Sequence, residues 1–403
     1  MYGIIASSVL FATASAVVTN YTSVVDPTNI KLPDIPQTTA STFQAACAWT
    51  APPVPIAASD WPTSWQPATS NGMNGTAEFQ ALYNSIDWTH APQITPRTLS
   101  SPGVLNTAGY DLVNDPDCWW TATRCVTPKN SQVLKDIFAC EEPETLGLTY
   151  DDGPNCTHDG FYDFLQQQNL KASMFYIGSN VYDWPYQAQR GVKDGHHIAV
   201  HTWSHPMITT MDNQNVLAEL YYATKMIKHI TGLTPLYWRP PLGDIDDRVR
   251  WIATQLNLTA IIWNLDTNDW AAGTTVTVEQ VQQNYKNFVS MGANGTFANR
   301  GNIILSHELN NLTMSVAESF IPQFKQAYKH VVDVATCMNI TNPYVENSVT
   351  FPVFTSSAAT SGGSGPSGPS GSSGTSGSSS VASSIHINTA LIVAALIACL
   401  FQV

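Results

Sequence analysis

The sequence predicts an α/β fold with parallel strands, either closed as a barrel or doubly wound as an open sheet. Two observations carry that expectation. From Glu144 onward, short apolar runs alternate with longer amphipathic stretches. In addition, Asp151 with Asp152, His201, Arg239, Asp266 and His307 each stand at or just past the C-terminal end of an apolar run. A barrel active site collects its groups from the C-terminal ends of several strands, whereas an unpatterned chain scatters them.

The candidate strands read TLGLTY, KASMFYIG, HHIAVHTW, TPLYWRPP, LTAIIWNLD and GNIILSHE. Their apolar residues run nearly without interruption, as in strands covered on both faces. Between them DGFYDFLQQQN, NQNVLAELYYATKMIKHITG and VEQVQQNYKNFVSMG have helical spacing, and the second stops on Thr231 and Gly232. Ahead of this region, residues 17–141 show no clear period. Pro, Ser, Thr and Trp dominate, as in TAPPVPIAASDWPTSWQP, with one helix expected around residues 77–86. This stretch is expected to be an irregular arm with little core of its own, its Trp119 and Trp120 packed rather than displayed.

Both ends carry processing signals. Residues 1–16 have a short apolar core and an A-x-A pattern at Ala14, Ser15 and Ala16, as in a secretory signal peptide. Residues 341–380 are expected to form a Ser/Gly-rich linker, because SGGSGPSGPSGSSGTSGSSS holds nothing that builds a core. Residues 381–403 end in TALIVAALIACLFQV, an apolar run shorter than the ~20 residues of a spanning helix. Small residues, a polar spacer and a short apolar tail match a glycosylphosphatidylinositol (GPI) signal, removed on attachment to lipid. The expected location is therefore outside the cell, in the wall and on the outer face of the plasma membrane.

Of the 403 residues 43% are hydrophobic, ample for one large domain. Lys and Arg total 17 against 30 Asp and Glu, and the resulting charge of −13 argues against a nucleic-acid partner. Seven cysteines are present, Cys399 in the apolar tail. The other six (Cys47, Cys118, Cys125, Cys140, Cys156 and Cys337) suit three disulfides whose connectivity stays open, with Cys118 and Cys125 near enough for a local loop. Sequons at Asn20, Asn74, Asn155, Asn257, Asn294, Asn311 and Asn339 are expected on the surface.

HTWSH places His201 and His205 four apart, and two such imidazoles converge on one metal if the segment turns helically. With one acid from another strand end they make a two-His, one-carboxylate set that leaves positions open for water and substrate. Zinc is the natural ion for that set, and cobalt also fits. Asp151 and Asp152 then make sense together. Adjacent carboxylates repel, and along a strand they point to opposite faces. If one binds the cation, its charge offsets the repulsion, and the Gly153 and Pro154 break can turn both acids toward one cavity. The free acid can take a proton from water. His90, His158, His196, His197, His229, His330 and His386 lack matching partners and are read as surface or core residues.

TYDDGP, HTWSH, RPPLGD, DTNDW and LSHE stand in the order of the motifs of the polysaccharide deacetylases, carbohydrate esterase family 4. The chain resembles that family over residues 142–340, most of all its fungal GPI-anchored chitin deacetylases. The resemblance implies a distorted (β/α) barrel with the irregular arm outside it. It implies Asp151 as general base, Asp152, His201 and His205 as metal ligands, and Arg239 holding Asp151. Asp269 would orient His307, the general acid. Leu242 would present an oxyanion-binding N–H, and Trp270 and Leu305 would wall the acetyl pocket, which Asp151 also touches. The family usually has Tyr where this chain has Leu242, which puts rate and substrate preference in question. The implied reaction removes N-acetyl groups from N-acetylglucosamine units of chitin, giving chitosan and acetate. Two alternatives stand beside it: a xylan O-acetyl esterase of the same fold, and a catalytically weak protein that grips wall polysaccharide.

Overall fold

The computed structural model describes Cys47 and residues 54–354. The expected signal peptide, most of the linker and the whole anchor signal lie outside the described residues. Among the described residues no helix is long and apolar enough to cross a membrane.

The arm carries a two-stranded hairpin, β1 (Leu99–Ser101) and β2 (Val104–Leu105). The remaining strands are β3 (Thr145–Gly147), β4 (Thr149–Gly153), β5 (Ser173–Tyr176), β6 (His197–Val200), β7 (Tyr237–Trp238), β8 (Thr259–Ala260), β9 (Leu265–Asp266), β10 (Asn302–Leu305) and β11 (His330–Val332). One parallel sheet runs β4-β5-β6-β7-β8 and another β11-β3-β10-β9. They form one wall, because β3 leads directly into β4 and β8 into β9 after a short break. The ring closes where Asp151 bridges in parallel to His307, with the Asp151 N–H donating to the Ser306 carbonyl at 3.0 Å. The result is a (β/α) barrel distorted at β11, which pairs with β3 on the side away from β10. β5, β6 and β10 are buried along their whole length, as their apolar runs require.

The helices follow the sequence signals closely. Asn213–Thr231 starts at Asp212, whose side chain accepts the Asn215 N–H at 2.8 Å, and stops at Gly232 with φ 81°. Val278–Ala293 opens on a capping box between Thr277 and Gln280. The arm helix spans Ala77–Ser85.

The arm shares the barrel's core. Trp61, Met73, Phe79 and Trp120 join the same buried apolar cluster as the barrel helices, and Trp119 is fully buried. Polar ties cross the same boundary: Arg250 donates to Asp136 at 2.8 Å and to the Cys118 carbonyl at 2.6 Å. The disulfides pair Cys47 with Cys156, Cys118 with Cys125 and Cys140 with Cys337.

The linker expected from residue 341 starts later. Leu236 donates to the Pro343 carbonyl at 3.0 Å and Ile198 to the Tyr344 hydroxyl at 2.8 Å. Tyr344, Val349, Phe351 and Phe354 are buried. Their side chains join the two buried apolar clusters of the domain, so this stretch folds with it. Of the sequons, Asn257, Asn294, Asn311 and Asn339 are exposed, and Asn74 and Asn155 are half-buried.

Candidate active site

Asp151 and Asp152 close β4. The pairing of β4 with β5 slips between Asp151 and Gly153, and Asp152 takes φ 72°. The bulge at Asp152 itself, ahead of the expected Gly-Pro break, turns its side chain to the cavity that Asp151 faces. Gly153 is required for a different reason. A Cβ there would lie 1.9 Å from the Glu308 carboxylate.

His201 follows β6, and its N–H donates to the Tyr176 carbonyl at 2.9 Å. The HTWSH segment is not helical, contrary to the expectation. Thr202 and His205 have φ 61° and 56°, so the chain folds into a tight loop that brings both rings inward. The Asp152 Oδ1 lies 3.5 Å from His201 Nε2 and 3.4 Å from His205 Nε2. His201 Nδ1 sits 2.8 Å from the Arg239 carbonyl. A carbonyl only accepts, so Nδ1 carries the proton and Nε2 offers its lone pair. Asp152 Oδ1 is buried without a hydrogen-bond partner. Donors about 2.1 Å from a tetrahedral ion stand about 3.4 Å apart, the spacing seen here. The three residues fit a divalent cation.

The electrostatics agree with that fit. Burial pushes the Asp152 carboxyl up, but the neighbouring imidazoles of His205, His201 and His307 outweigh it and hold it below the usual carboxylate range. Burial lowers His205 to about 4, against the pull of Asp152, leaving a neutral ligand at neutral pH.

Asp151 is braced from below. Arg239, fully buried at the end of β7, donates to Asp151 Oδ1 at 2.7 Å and to Thr149 Oγ1 at 2.8 Å, with its guanidinium 3.9 Å from the Phe175 ring centre. On the neighbouring segment past β10, His307 Nδ1 lies 2.6 Å from Asp269 Oδ1, and the His307 backbone N–H donates to Asp269 Oδ2 at 2.9 Å. Burial opposes protonation of His307, but the charge and hydrogen bond of Asp269 prevail and raise it to about 10. Asp266, half-buried at the end of β9, accepts the Asn268 N–H at 2.9 Å.

Contacts and mutual charge effects bring Asp151, Asp152, His201, His205, Arg239, Asp269 and His307 together from separate strand ends. Leu242, 41% exposed with φ 59°, tops the turn Pro241–Gly243 just past Arg239. Gly243 and Asp244 donate within that turn at 3.0 and 2.9 Å, and among the described residues the Leu242 N–H has no such partner. Leu305 is buried immediately before Ser306 and His307, and Trp270 is half-buried beside Asp269.

Supporting residues had no assigned role in the sequence. Glu308, fully buried in the quoted LSHE, faces His158 Nδ1 at 2.8 Å and accepts the Tyr162 hydroxyl at 3.2 Å. Its place beside His307 was the available signal. Asp244, in RPPLGD, accepts from Trp119 Nε1 at 3.0 Å and from the Thr209 hydroxyl at 2.7 Å. It thereby pins the Leu242 turn to the arm. His158, His196 and His197 are buried core residues, and His90 is exposed.

A carboxylate and a protonated imidazole on bridged neighbouring segments, beside a trio that fits a cation, are suited to hydrolysing an amide or ester. Fold and site together define a metal-assisted hydrolase of the (β/α) barrel class. The chain belongs to the polysaccharide deacetylase family, whose profile matches residues 139–261. It is 61% identical over 331 residues to a chitin deacetylase of Amylomyces rouxii, spanning 81% of this chain and 78% of that protein. Chitin deacetylase 2 of Cryptococcus neoformans is 46% identical over 310 residues, 76% of this chain and 68% of that one. Among solved structures, the Colletotrichum lindemuthianum chitin deacetylase aligns over 53% of this chain and 96% of its own, at 26% identity and a TM-score of 0.49.

Proposed function

We propose that this protein hydrolyses the N-acetyl groups of N-acetylglucosamine units in chitin, leaving chitosan and acetate. One observation carries the reading: Asp151 and His307 face each other across the closing bridge of the barrel, beside the Asp152, His201 and His205 trio. Similarity to two chitin deacetylases supports chitin over acetylated xylan as the substrate.

A divalent cation held by Asp152, His201 and His205, zinc in the first instance and cobalt as a substitute, supplies Lewis acidity toward water and the acetamide carbonyl. Asp151, oriented by Arg239, accepts the proton of the attacking water. The Leu242 N–H donates to the oxygen that gains negative charge as the carbonyl becomes tetrahedral. His307 is held protonated by Asp269 and delivers a proton from Nε2 to the departing amine nitrogen, since an unprotonated amide nitrogen leaves poorly. Trp270 and Leu305 shape the methyl pocket.

The protein works, in this proposal, outside the cell, bound through a GPI lipid to the outer face of the plasma membrane and acting on wall polymer. The terminal sequences of residues 1–16 and 381–403 support this reading. Release by a phosphatidylinositol-specific phospholipase tests the anchor; protein that stays on the membrane after treatment refutes it.

Acetate release from N-acetylglucosamine oligomers tests the activity, with acetylated xylan assayed beside them. Release from the oligomers that ceases in Asp151→Asn is the expected result. Binding of oligomers with no acetate at any metal loading refutes hydrolysis and leaves a binding protein.

A further inference from the structure

The HTWSH loop holds two residues in the left-handed region, Thr202 at φ 61° and His205 at φ 56°. Neither is glycine, and Thr is β-branched, so both hold strained backbone. Such backbone persists only where its surroundings over-determine it. The intervening residues show what does so. The Glu219 carboxylate, on the helix Asn213–Thr231, is fully buried. Its Oε2 accepts the backbone N–H of Trp203 at 3.0 Å and of Ser204 at 2.8 Å. Its Oε1 accepts the Ser204 hydroxyl at 2.8 Å and the Ala68 backbone N–H of the arm at 2.9 Å.

We propose that Glu219 is the positioning residue of the two-histidine loop, fixing the separation of the His201 and His205 rings and tying the arm to the metal site. Glu219 touches neither ring. It clamps the peptide units between them while donors from the arm and the loop share its two oxygens. Trp203 Nε1 donates to the Thr63 carbonyl at 3.2 Å, and Ser179 Oγ donates to the Trp203 carbonyl at 2.7 Å while accepting the Trp65 N–H at 2.8 Å. The loop is therefore gripped on both sides by arm contacts, with one buried carboxylate at the centre.

Glutamine at position 219 keeps size and shape but replaces one acceptor oxygen with an N–H₂ group. That group faces either two backbone N–H donors or one backbone N–H and a hydroxyl that can rotate to accept, so in each orientation at least one backbone N–H loses its acceptor. The loop then loses part of its clamp and the two imidazoles their fixed spacing.

This inference rests on the proposed metal site, and the test separates the two. Zinc affinity of the full chain is measured by competition with a chelator for wild type, Glu219→Gln, Ser204→Ala and Leu165→Ala, the last a core truncation on the helix Asp159–Gln167, away from the loop. Wild type that binds no zinc overturns the metal reading itself. With zinc bound by wild type, the expected result is about 10–100-fold weaker binding for Glu219→Gln, the usual effect of losing an outer-shell partner. A smaller loss in the same direction is expected for Ser204→Ala, and none for Leu165→Ala despite its lower melting temperature. Wild-type affinity in both Glu219→Gln and Ser204→Ala overturns the proposal. So does an equal loss in Leu165→Ala, which would mark the effect as general destabilisation. Should Glu219→Gln fail to fold, Ser204→Ala alone decides, since it removes one donor to Glu219 and leaves the backbone bonds in place.

Discussion

The two oxygens of Asp269 are divided between the ring and the backbone of one residue: Oδ1 meets His307 Nδ1 at 2.6 Å and Oδ2 accepts the His307 N–H at 2.9 Å. That double hold fixes the ring and leaves Nε2 as the nitrogen open to the cavity. It also raises the imidazole from its ordinary 6.5 to about 10, with burial opposing and the Asp269 charge prevailing.

A raised histidine contributes stability that is fully present below its ordinary value and lost as pH rises through the folded one. His307 thus stays protonated across the neutral range. Asp269→Asn is expected to slow acetate release about 10²–10⁴-fold at pH 8 and to move the alkaline limb of the pH–rate profile down toward the ordinary imidazole range. An alkaline limb that stays in place would show that Asp269 does not set the acid.

Arg239 has no exposed surface and serves Asp151, Thr149 and the Ile261 carbonyl together. Replacing it by Met leaves a buried carboxylate without its cation. The expected loss is about 3–5 kcal/mol of folding stability, read by denaturant titration. A midpoint equal to wild type would mean that Asp151 finds another partner.

Chelation is expected to abolish acetate release and to lower the melting temperature. Zinc at 100 times its dissociation constant stabilises the fold by about 2.7 kcal/mol. In Asp152→Ala the zinc-dependent shift should vanish, because the remaining imidazoles lack the charge that completes the site. Calorimetry with and without zinc reads this directly.

Leu242 separates a backbone role from a side-chain role. Its φ of 59° suits glycine, and its side chain is 41% exposed. Leu242→Gly should keep chitin-oligomer turnover within about twofold, a change typical of surface positions. Leu242→Pro cannot adopt the angle and removes the N–H, and turnover should fall about 10²–10³-fold. Equal effects of the two would place the contribution in the leucine side chain.

Part of the site was legible because Asp151, Asp152, His201, Arg239 and His307 each sit at the end of an apolar run, whereas Asp269, Leu242, Trp270 and Leu305 were marked only by the family motifs. The apolar runs announced the strands, and the polar residues closing them had nowhere to go but one rim. What stayed hidden depends on contacts between segments distant in sequence. Nothing around Glu219 distinguishes it from a solvent-facing acid on an amphipathic helix. The left-handed backbone at Asp152, Thr202 and His205 gives no warning either, since none is glycine. Residues 343–354 read as the start of a linker, because scattered aromatics between polar residues carry no period.

The amino-acid sequence by itself determined an α/β fold of parallel strands, the order of its apolar runs and the polar residues that close them, since hydrophobic period and strand-end chemistry are local properties. Only the tertiary structure decided how Asp152 turns, which carboxylate clamps the histidine loop, and that the arm shares the barrel's core. Those outcomes depend on side chains far apart in the chain competing for the same buried donors and space, which no local pattern encodes.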